Sequence, residues 1–567
     1  VFIVRALAMA ELAIAGLAIV AAAGAAAAQP VPIGEAPGRE QERFREPVAP
    51  RAEPRGPVVE LRSTAAPDQA DAIRLTVRGV IIEGATVYPP EAFAPLYQDI
   101  VGREVTLKAV YDLAQRITAK YGADGYVLSR AVVPPQQLAS HGAVVRLRVV
   151  EGYVDKVVWP DQLKRYRDVF SAWTARITAD RPANIRTLER YLLLGNDLPG
   201  LRLRSTLKPS DVNTGAATLV VEAEEKPLDL QLRVDNRGTP SRGPEQYLTA
   251  ASLNNLFGRH EALQVTYAGT FEARELQYLA GAWRQVLTAE GLTATASYGW
   301  SDGKPGTELL KQLRFASRSS VFEAGLSYPV IRSRDKNLTV TGLVFASDSH
   351  GDYREFAYAD LYTEDRLRGG RLRLDYDVAD RLAGITQLSA TASFGIDGLG
   401  STPNDSPHAS RTGGRVDFTK VEVSIGRLQP LGGGFSVFAY AEAQVSGVTL
   451  LAPEECSYGG RTVGRAFDPS ELVGDSCWAV SGELRYDLPI PNNLLSRTQL
   501  YGYLDHGEVV HDDWTDWPSK TQHGSSAGVG IRLGWNDNLL VDLSAAKPID
   551  GRADDDWRVF VAAVAKY

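Results

Sequence analysis

From about Lys226 to Tyr567 the chain runs in long stretches where apolar and polar residues alternate one for one, and this rhythm limits the fold more than any other feature. Phe435, Val437, Ala439, Ala441, Ala443 and Val445 share one face of a strand, with Ser436, Tyr440, Glu442, Gln444 and Ser446 on the other. The same parity returns at Trp478, Val480, Gly482, Leu484, Tyr486 and Leu488, set against Ser481, Glu483, Arg485 and Asp487. A period of two excludes helices, and runs of about ten residues exceed the five or six usual for strands of a soluble sandwich. An apolar outside and a charged inside suit a barrel closed in lipid, where every backbone group must find its partner within the chain. After the N-terminal region no segment reaches about 18 unbroken apolar residues, so helical spans are not expected.

Strands are counted from their connections. Short turns fall at Asn254–Arg259, Thr288–Gly291, Val330–Asn337, Asp380–Gly384, Leu431–Gly434, Pro489–Leu494 and Asn536–Asn538. Longer polar loops lie between them, at Ser301–Arg314, Ser347–Asp365, Gly398–Gly414, Gly447–Ser476 and Val510–Gln522. The expected fold over 226–567 is therefore a transmembrane β-barrel of about 16 antiparallel strands, even in number as single-chain bacterial barrels are. Its last strand presents Trp557, Val559, Val561, Ala563, Ala565 and Tyr567 outward.

At the N-terminus, Arg5 precedes an Ala-rich apolar run that ends in Ala26-Ala27-Ala28 before Gln29-Pro30, the pattern of a secretory signal over residues 1–28. The alternative is a membrane anchor, which the short run and the Pro-rich sequence behind it disfavour. Residues 29–72 have too few large apolar side chains for a core. Within them residues 36–47 suit a short charged helix, bounded by prolines and compatible with a water-filled pore; a solvated linker is the alternative. The net charge of −8 and isoelectric point near 5.6 exclude a nucleic-acid partner, which calls for clustered cations.

Between linker and barrel the rhythm is mixed. Strand-like Leu75–Ile82 leads to a helix near Pro90–Tyr97; Thr106 then caps a second helix, whose Leu107, Val110, Leu113, Ala114 and Ile117 share a face. Strands Val127–Val133 and Ala143–Val150 follow. A similar order recurs with strand Val154–Trp159, helices near Asp161–Trp173 and Asn184–Gly195, and strands Leu201–Leu207 and Ala217–Ala223. Two tandem β-α-α-β-β modules, 73–152 and 153–225, are expected.

Leu75 to Thr86, Gly125-Tyr126-Val127-Leu128-Ser129-Arg130 through Gln136, and Val149-Val150-Glu151-Gly152 together resemble the first polypeptide-transport-associated (POTRA) domain of two-partner secretion transporters, the TpsB class. The second module resembles the second such domain by order of elements. The barrel resembles the same class and, more distantly, the BamA insertase superfamily. Their signature is Val-Arg-Gly-Phe/Tyr in a loop that folds into the pore, answered by Phe/Gly-x-Asp-x-Gly on a nearby strand. Here the loop carries Gly464-Arg465-Ala466-Phe467, then Gly474-Asp475, and the strand carries Tyr503-x-Asp505-x-Gly507. Gly464 replaces Val, Ala466 replaces Gly and Tyr503 replaces Phe or Gly; Ala466 is strained if its position needs positive φ. Val77-Arg78-Gly79 repeats the tripeptide in the first module, where it reads as part of a strand and its turn.

The resemblance implies a protein of the Gram-negative outer membrane with both modules in the periplasm. There they capture an unfolded exoprotein client, a β-helical one, by strand addition, or else they only space and orient the barrel. Surrounding lipid and the barrel assembly machinery are the other implied partners, with Trp557 and the terminal Tyr567 resembling the assembly signal; a hydrophobic strand without that meaning is the alternative. A monomer is expected. The competing functions are an insertase, which typically carries more modules, and a passive porin, which leaves the modules unexplained. In the pore, Arg465 is expected to pair with Asp505 and fix the loop, or only to assist barrel assembly.

Cys456 and Cys477 bracket the loop, and an oxidising compartment favours a disulfide over two unpaired thiols. Gly474-Asp475-Ser476 mimics a lipase motif without a His at a compatible place, and no phosphate-binding glycine loop occurs. No catalytic residue, cofactor or metal is assigned. His511-Asp512-Asp513 and Asp554-Asp555-Asp556 read as solvated loop charge in preference to a cation site.

Overall fold

The structure is a computed structural model that describes residues 38–39, 43–44, 50–53, 65–213, 215–354, 362–490, 495–512, 520–536, 538–552 and 554–567. The expected signal peptide, 1–28, lies outside the described residues, as does much of the expected helix at 36–47.

The first module contains β1 (Arg74–Glu83), β2 (Glu104–Thr106), α1 (Leu107–Ala123), β3 (Arg130–Val132) and β4 (Ala143–Val150). Its sheet runs β2-β1-β4-β3, with β1 parallel to β4. Val110, Leu113, Ala114, Ile117 and Tyr121 recur at helical spacing on α1 and bury against Leu75, Val77, Val145 and Leu147. Thr106 stands at the N-cap of α1 in extended conformation, but its side chain makes no capping bond. Val77-Arg78-Gly79 falls inside β1, at a register shift against β4.

Two of the module's sequence motifs meet at one carboxylate. Glu151 accepts hydrogen bonds from the backbone N–H groups of Thr86 (2.7 Å) and Val87 (3.1 Å) and from the Tyr121 hydroxyl (2.7 Å). Partial burial disfavours its charge, but the bonds from Thr86, Tyr121 and Val87 outweigh this and hold the carboxyl below its ordinary range.

The second module contains β5 (Tyr153–Val158), α2 (Arg167–Ala179), α3 (Ile185–Asn196), β6 (Leu201–Pro209) and β7 (Ala216–Glu225), with sheet order β5-β7-β6. Trp173, Ile177, Leu188 and Leu219 lie in its core. The modules are bonded to each other: Ala183 N–H donates to Gly152 O (2.9 Å) and Ile185 N–H to Gly125 O (2.8 Å). This junction shortens the expected Val127–Val133 strand to β3, because the turn at 125–129 closes against the second module and Leu128 packs on its core.

The barrel begins with β8 (Leu228–Asp235), β9 (Gln246–Asn254), β10 (Glu261–Thr270), β11 (Gln277–Val286), β12 (Thr293–Gly303) and β13 (Phe315–Arg332). It continues with β14 (Lys336–Tyr353), β15 (Tyr362–Ala379), β16 (Ile385–Gly395), β17 (Thr419–Gly432) and β18 (Phe435–Ser446). A small hairpin, β19 (Cys456–Tyr458) and β20 (Leu472–Gly474), lies in the next loop. The wall then resumes with β21 (Ser476–Asp487), β22 (Arg497–Val510), β23 (Thr521–Trp535), β24 (Leu539–Asp550) and β25 (Arg558–Lys566). Sixteen strands close into one barrel, with β25 antiparallel to β8 and Ala562 opposite Asp235. Tyr567 and Leu230 exchange both backbone bonds, at 2.8 and 2.9 Å, so the chain end completes the seam.

The alternation sorts as the period requires. Leu230, Val423, Val480, Leu484 and Val559 are exposed on the outer surface, whereas Ser481, Glu483 and Asp505 are buried toward the lumen. β14 and β15 run farther than expected, consuming part of 347–365, because Ser347, Ser349 and Gly351 continue to pair with Leu367, Asp365 and Thr363.

The second module docks on the short turns. Trp173 Nε1 donates to Ala289 O (2.7 Å), the Tyr191 hydroxyl to Glu290 (3.0 Å), and Arg332 holds Asp197 in a bidentate pair at 2.8 and 2.9 Å. His260 Nε2 lies 3.3 Å from Asp168. These contacts fall on the β9–β10, β11–β12 and β13–β14 connections and place the short turns on the modules' side of the barrel.

Candidate functional site

The connection between β18 and β21 folds back into the lumen. At its base β19 pairs with β20, and a disulfide joins Cys456 to Cys477, whose Cα atoms are 6.3 Å apart. Arg465, 7% exposed, reaches the inner wall from the middle of this loop. Its Nε donates to Asp505 Oδ2 (3.1 Å) and its Nη2 to Asp505 Oδ1 (2.9 Å), a bidentate pair to which its own backbone N–H adds a third bond at 3.0 Å. Nη1 donates to Glu483 (2.5 Å) and Nη2 also to Ser481 Oγ (2.9 Å).

The wall supplies these partners by register. Ser481 lies opposite Asp505 across β21 and β22, and Glu483 lies opposite Tyr503, so all four side chains face inward together. The guanidinium stacks on Tyr503, 3.4 Å from the ring centre, so the Tyr at this motif position keeps an aromatic platform. Glu483 in turn accepts from Arg485 (2.7 Å) and Arg532 (2.7 Å). Glu483 and Arg485 are legible in the sequence as charges on the inward parity; the partnership of Glu483 with Arg465 has no local signal.

Positive φ falls on Gly464 (+63°), and Ala466 is absent from the non-glycine residues with that conformation. The expected strain at Ala466 therefore does not arise: its methyl group is fully buried and packs with Tyr458, Val463 and Phe467. A Cβ on Gly507 would come within 2.5 Å of the Tyr458 ring, and one on Gly524 within 2.7 Å of the Phe467 ring. The two glycines leave the groove that seats the loop's aromatics.

Gly474 and Asp475 stand apart from Arg465. Gly474 pairs with Cys456, and Asp475 is fully buried, bound by Arg411 from the β16–β17 connection. The backbone N–H groups of Leu450 (2.7 Å) and Asp512 (2.8 Å) also donate to its carboxylate. His511 beside them is fully buried, which overturns its reading as solvated loop charge; Asp513 lies outside the described residues. Asp554, Asp555 and Asp556 are exposed.

Parts of the N-terminal segment also lie in the lumen. Arg39 donates to Glu455 O, and Phe44, in a helical pair with Arg43, stacks on the inward Tyr278 with ring centres 5.5 Å apart. Near the modules' end, Ala52 N–H donates to Asp377 (2.6 Å). At the opposite terminus Trp557 and Tyr567 are exposed on the outer face.

A closed barrel with a lumen loop and tandem α/β modules defines an outer-membrane transporter of the POTRA-bearing class. Residues 75–152 match the POTRA domain of ShlB type. Residues 215–533, more than half of the chain, match the haemolysin secretion/activation protein family ShlB/FhaC/HecB, and the chain belongs to that family. It is a two-partner secretion transporter of the outer membrane, with its POTRA modules in the periplasm. Among curated relatives, the heme/hemopexin transporter protein HuxB of Haemophilus influenzae (strain 86-028NP) is 21% identical over 82% of each chain. The outer membrane transporter CdiB of Escherichia coli is 23% identical over 86% of this chain and 82% of its own. Among solved structures, CdiB from Escherichia coli aligns with a TM-score of 0.69 at 20% identity, covering 92% of this chain and 94% of that one. CdiB from Acinetobacter baumannii gives 0.59 at 16%, covering 93% and 95%. At these identities the structural likeness concerns the fold.

Proposed function

We propose that the two modules hold an unfolded exoprotein in the periplasm and feed it through the barrel lumen to the cell surface, with the Arg465–Asp505 anchor setting where the pore loop rests. One observation carries the reading: the chain's own loop and the described residues 38–39 and 43–44 occupy part of the lumen of a closed barrel, while the two modules on its periplasmic side carry open sheet edges. The edges are β2 and β3 in the first sheet and β5 and β6 in the second; Ser205–Pro209 of β6 are exposed throughout. An extended chain adds to such an edge through main-chain bonds with little regard to sequence.

A passive porin gains nothing from an obstructed lumen. An insertase is less well served by two modules alone. The chain works as a monomer in lipid, Trp557 and Tyr567 address it to the barrel assembly machinery, and no catalytic step is involved. A large β-helical client is the expected cargo.

The test is deletion of this chain from cells that make a large exoprotein encoded beside it. The exoprotein is expected to disappear from the cell surface and to return when the chain is supplied again. Undiminished surface exoprotein after deletion overturns the reading.

A further inference from the structure

Two arginines of the inner wall hold the pore loop by its main chain. Arg237, just beyond β8, donates Nη1 to the carbonyls of Gly460 (3.3 Å) and Arg465 (3.2 Å) and Nη2 to Ser544 Oγ (3.3 Å). Arg558, at the start of β25, donates Nη1 to the Ala466 carbonyl (2.7 Å) and pairs through Nη2 with Asp468. Both guanidiniums lie near one ring, that of Phe560, at 3.9 Å for Arg237 and 5.3 Å for Arg558. Among the described residues, every hydrogen bond of the Arg237 guanidinium goes to a neutral oxygen, while its backbone N–H donates to Asp235 (3.0 Å).

A guanidinium drawn away from bulk water needs acceptors for its donors, and leaving them unmet is costly. Arg237 finds them mainly in backbone carbonyls, which every residue of every polypeptide supplies. The stretch it grips, 459–467, contains neither helix nor strand; the Gly459 and Gly464 carbonyls accept from the loop's own Ser470 and Phe467 N–H groups, and those of Gly460, Arg465 and Ala466 turn to the wall arginines.

We infer that Arg237 and Arg558, with Phe560 between them, form a main-chain-binding site on the lumen wall that the pore loop occupies at rest and an exported polypeptide occupies in transit. This rests on export through the lumen as proposed above. The loop is then a place-holder: when it leaves, the incoming chain provides equivalent carbonyls to the two arginines, so that release of the loop costs the Arg465 anchor and not the main-chain bonds. Recognition of carbonyls also explains how one wall can pass many different side chains.

The test uses the full-length chain in cells, with Phe560 replaced by photo-reactive benzoylphenylalanine, and an exoprotein stalled in transit by a disulfide-locked C-terminal domain. Without client, the label is expected on residues 459–467. With the stalled client, it is expected on the client. A client whose leading end is accessible to external protease while the label stays wholly on the chain's own loop overturns the inference alone. If no client reaches the surface even through the unsubstituted chain, export through this barrel fails, and the inference with it. Should the photo-reactive variant not assemble, the double variant Arg237→Gln with Arg558→Gln serves instead. Its export rate is expected to fall about tenfold for two clients of unlike sequence alike. An unchanged rate, or a fall that follows the client's acidic content, overturns the inference.

Discussion

Arg411 grips Asp475 with both terminal nitrogens, at 2.5 and 3.2 Å, across 64 residues of sequence and with neither side chain more than 3% exposed. Because Asp475 also accepts from the backbone of Leu450 and Asp512, one carboxylate joins three connections on the side of the barrel away from the modules: β16–β17, β18–β21 and β22–β23. A buried pair that loses one partner leaves an uncompensated charge, which typically costs about 3–5 kcal/mol. Arg411→Ala is therefore expected to release these connections while the barrel remains assembled. External protease should then cut within 396–418 in intact cells, and resistance equal to that of the unsubstituted chain counts against the proposed tie.

Arg465→Ala and Asp505→Ala are each expected to leave the barrel inserted and to impair export. Arg465→Lys is expected to fail as well, since one ammonium cannot keep the bidentate grip, the Glu483 bond and the stack on Tyr503 together. Surface exoprotein is the readout, with transporter level measured in parallel. Normal secretion at normal level refutes the anchoring role.

Gly507→Val places a branched side chain where the Tyr458 ring lies, since even a Cβ there comes within 2.5 Å of it. The barrel wall is expected to absorb the substitution by a small shift at Ala479, whose Cβ would lie 3.1 Å away, and the loop aromatic to be displaced. Single-channel conductance in planar bilayers is expected to rise or fluctuate as the loop leaves its groove; a trace matching the unsubstituted protein argues that the loop is held by other means.

Glu151 sets an acid limit for the first module. Its carboxyl titrates below the ordinary value of 4.5 because the folded state favours the charged form. The stability it adds is fully present above that ordinary value and is lost as pH falls through the lower folded one. Amide exchange at Thr86 and Val87 in the full chain should accelerate on acidification, and Glu151→Gln should show fast exchange at every pH. Equal protection at pH 3 and pH 6 contradicts this.

How much of this was open to a reader of the sequence depended on periodicity. Alternation located the strands, and the lone charges Glu483 and Asp505 on the inward parity marked the wall facing the loop. Arg411 gave no such sign: it lies in an aperiodic Ser- and Gly-rich loop, and only the folded chain brings it to Asp475. Ala466 misled for a related reason. Positive φ is a property of one backbone position, and the loop assigns it two residues earlier, to Gly464. In the first module, Gly84-Ala85-Thr86 and Glu151-Gly152 were recognisable separately, but that one carboxylate ties them together is visible only in three dimensions.

The second module sits off-centre. Its described bonds to the barrel reach the turns that join β9 through β14, and none of them reaches the turns that follow β15, β17 or β23. It is thus a half-collar, bonded over one sector of the rim, which gives the cylinder a front and a back. On the proposed export route, a client held along the collar is expected to approach the doorway from its other flank, sideways and as a single thread.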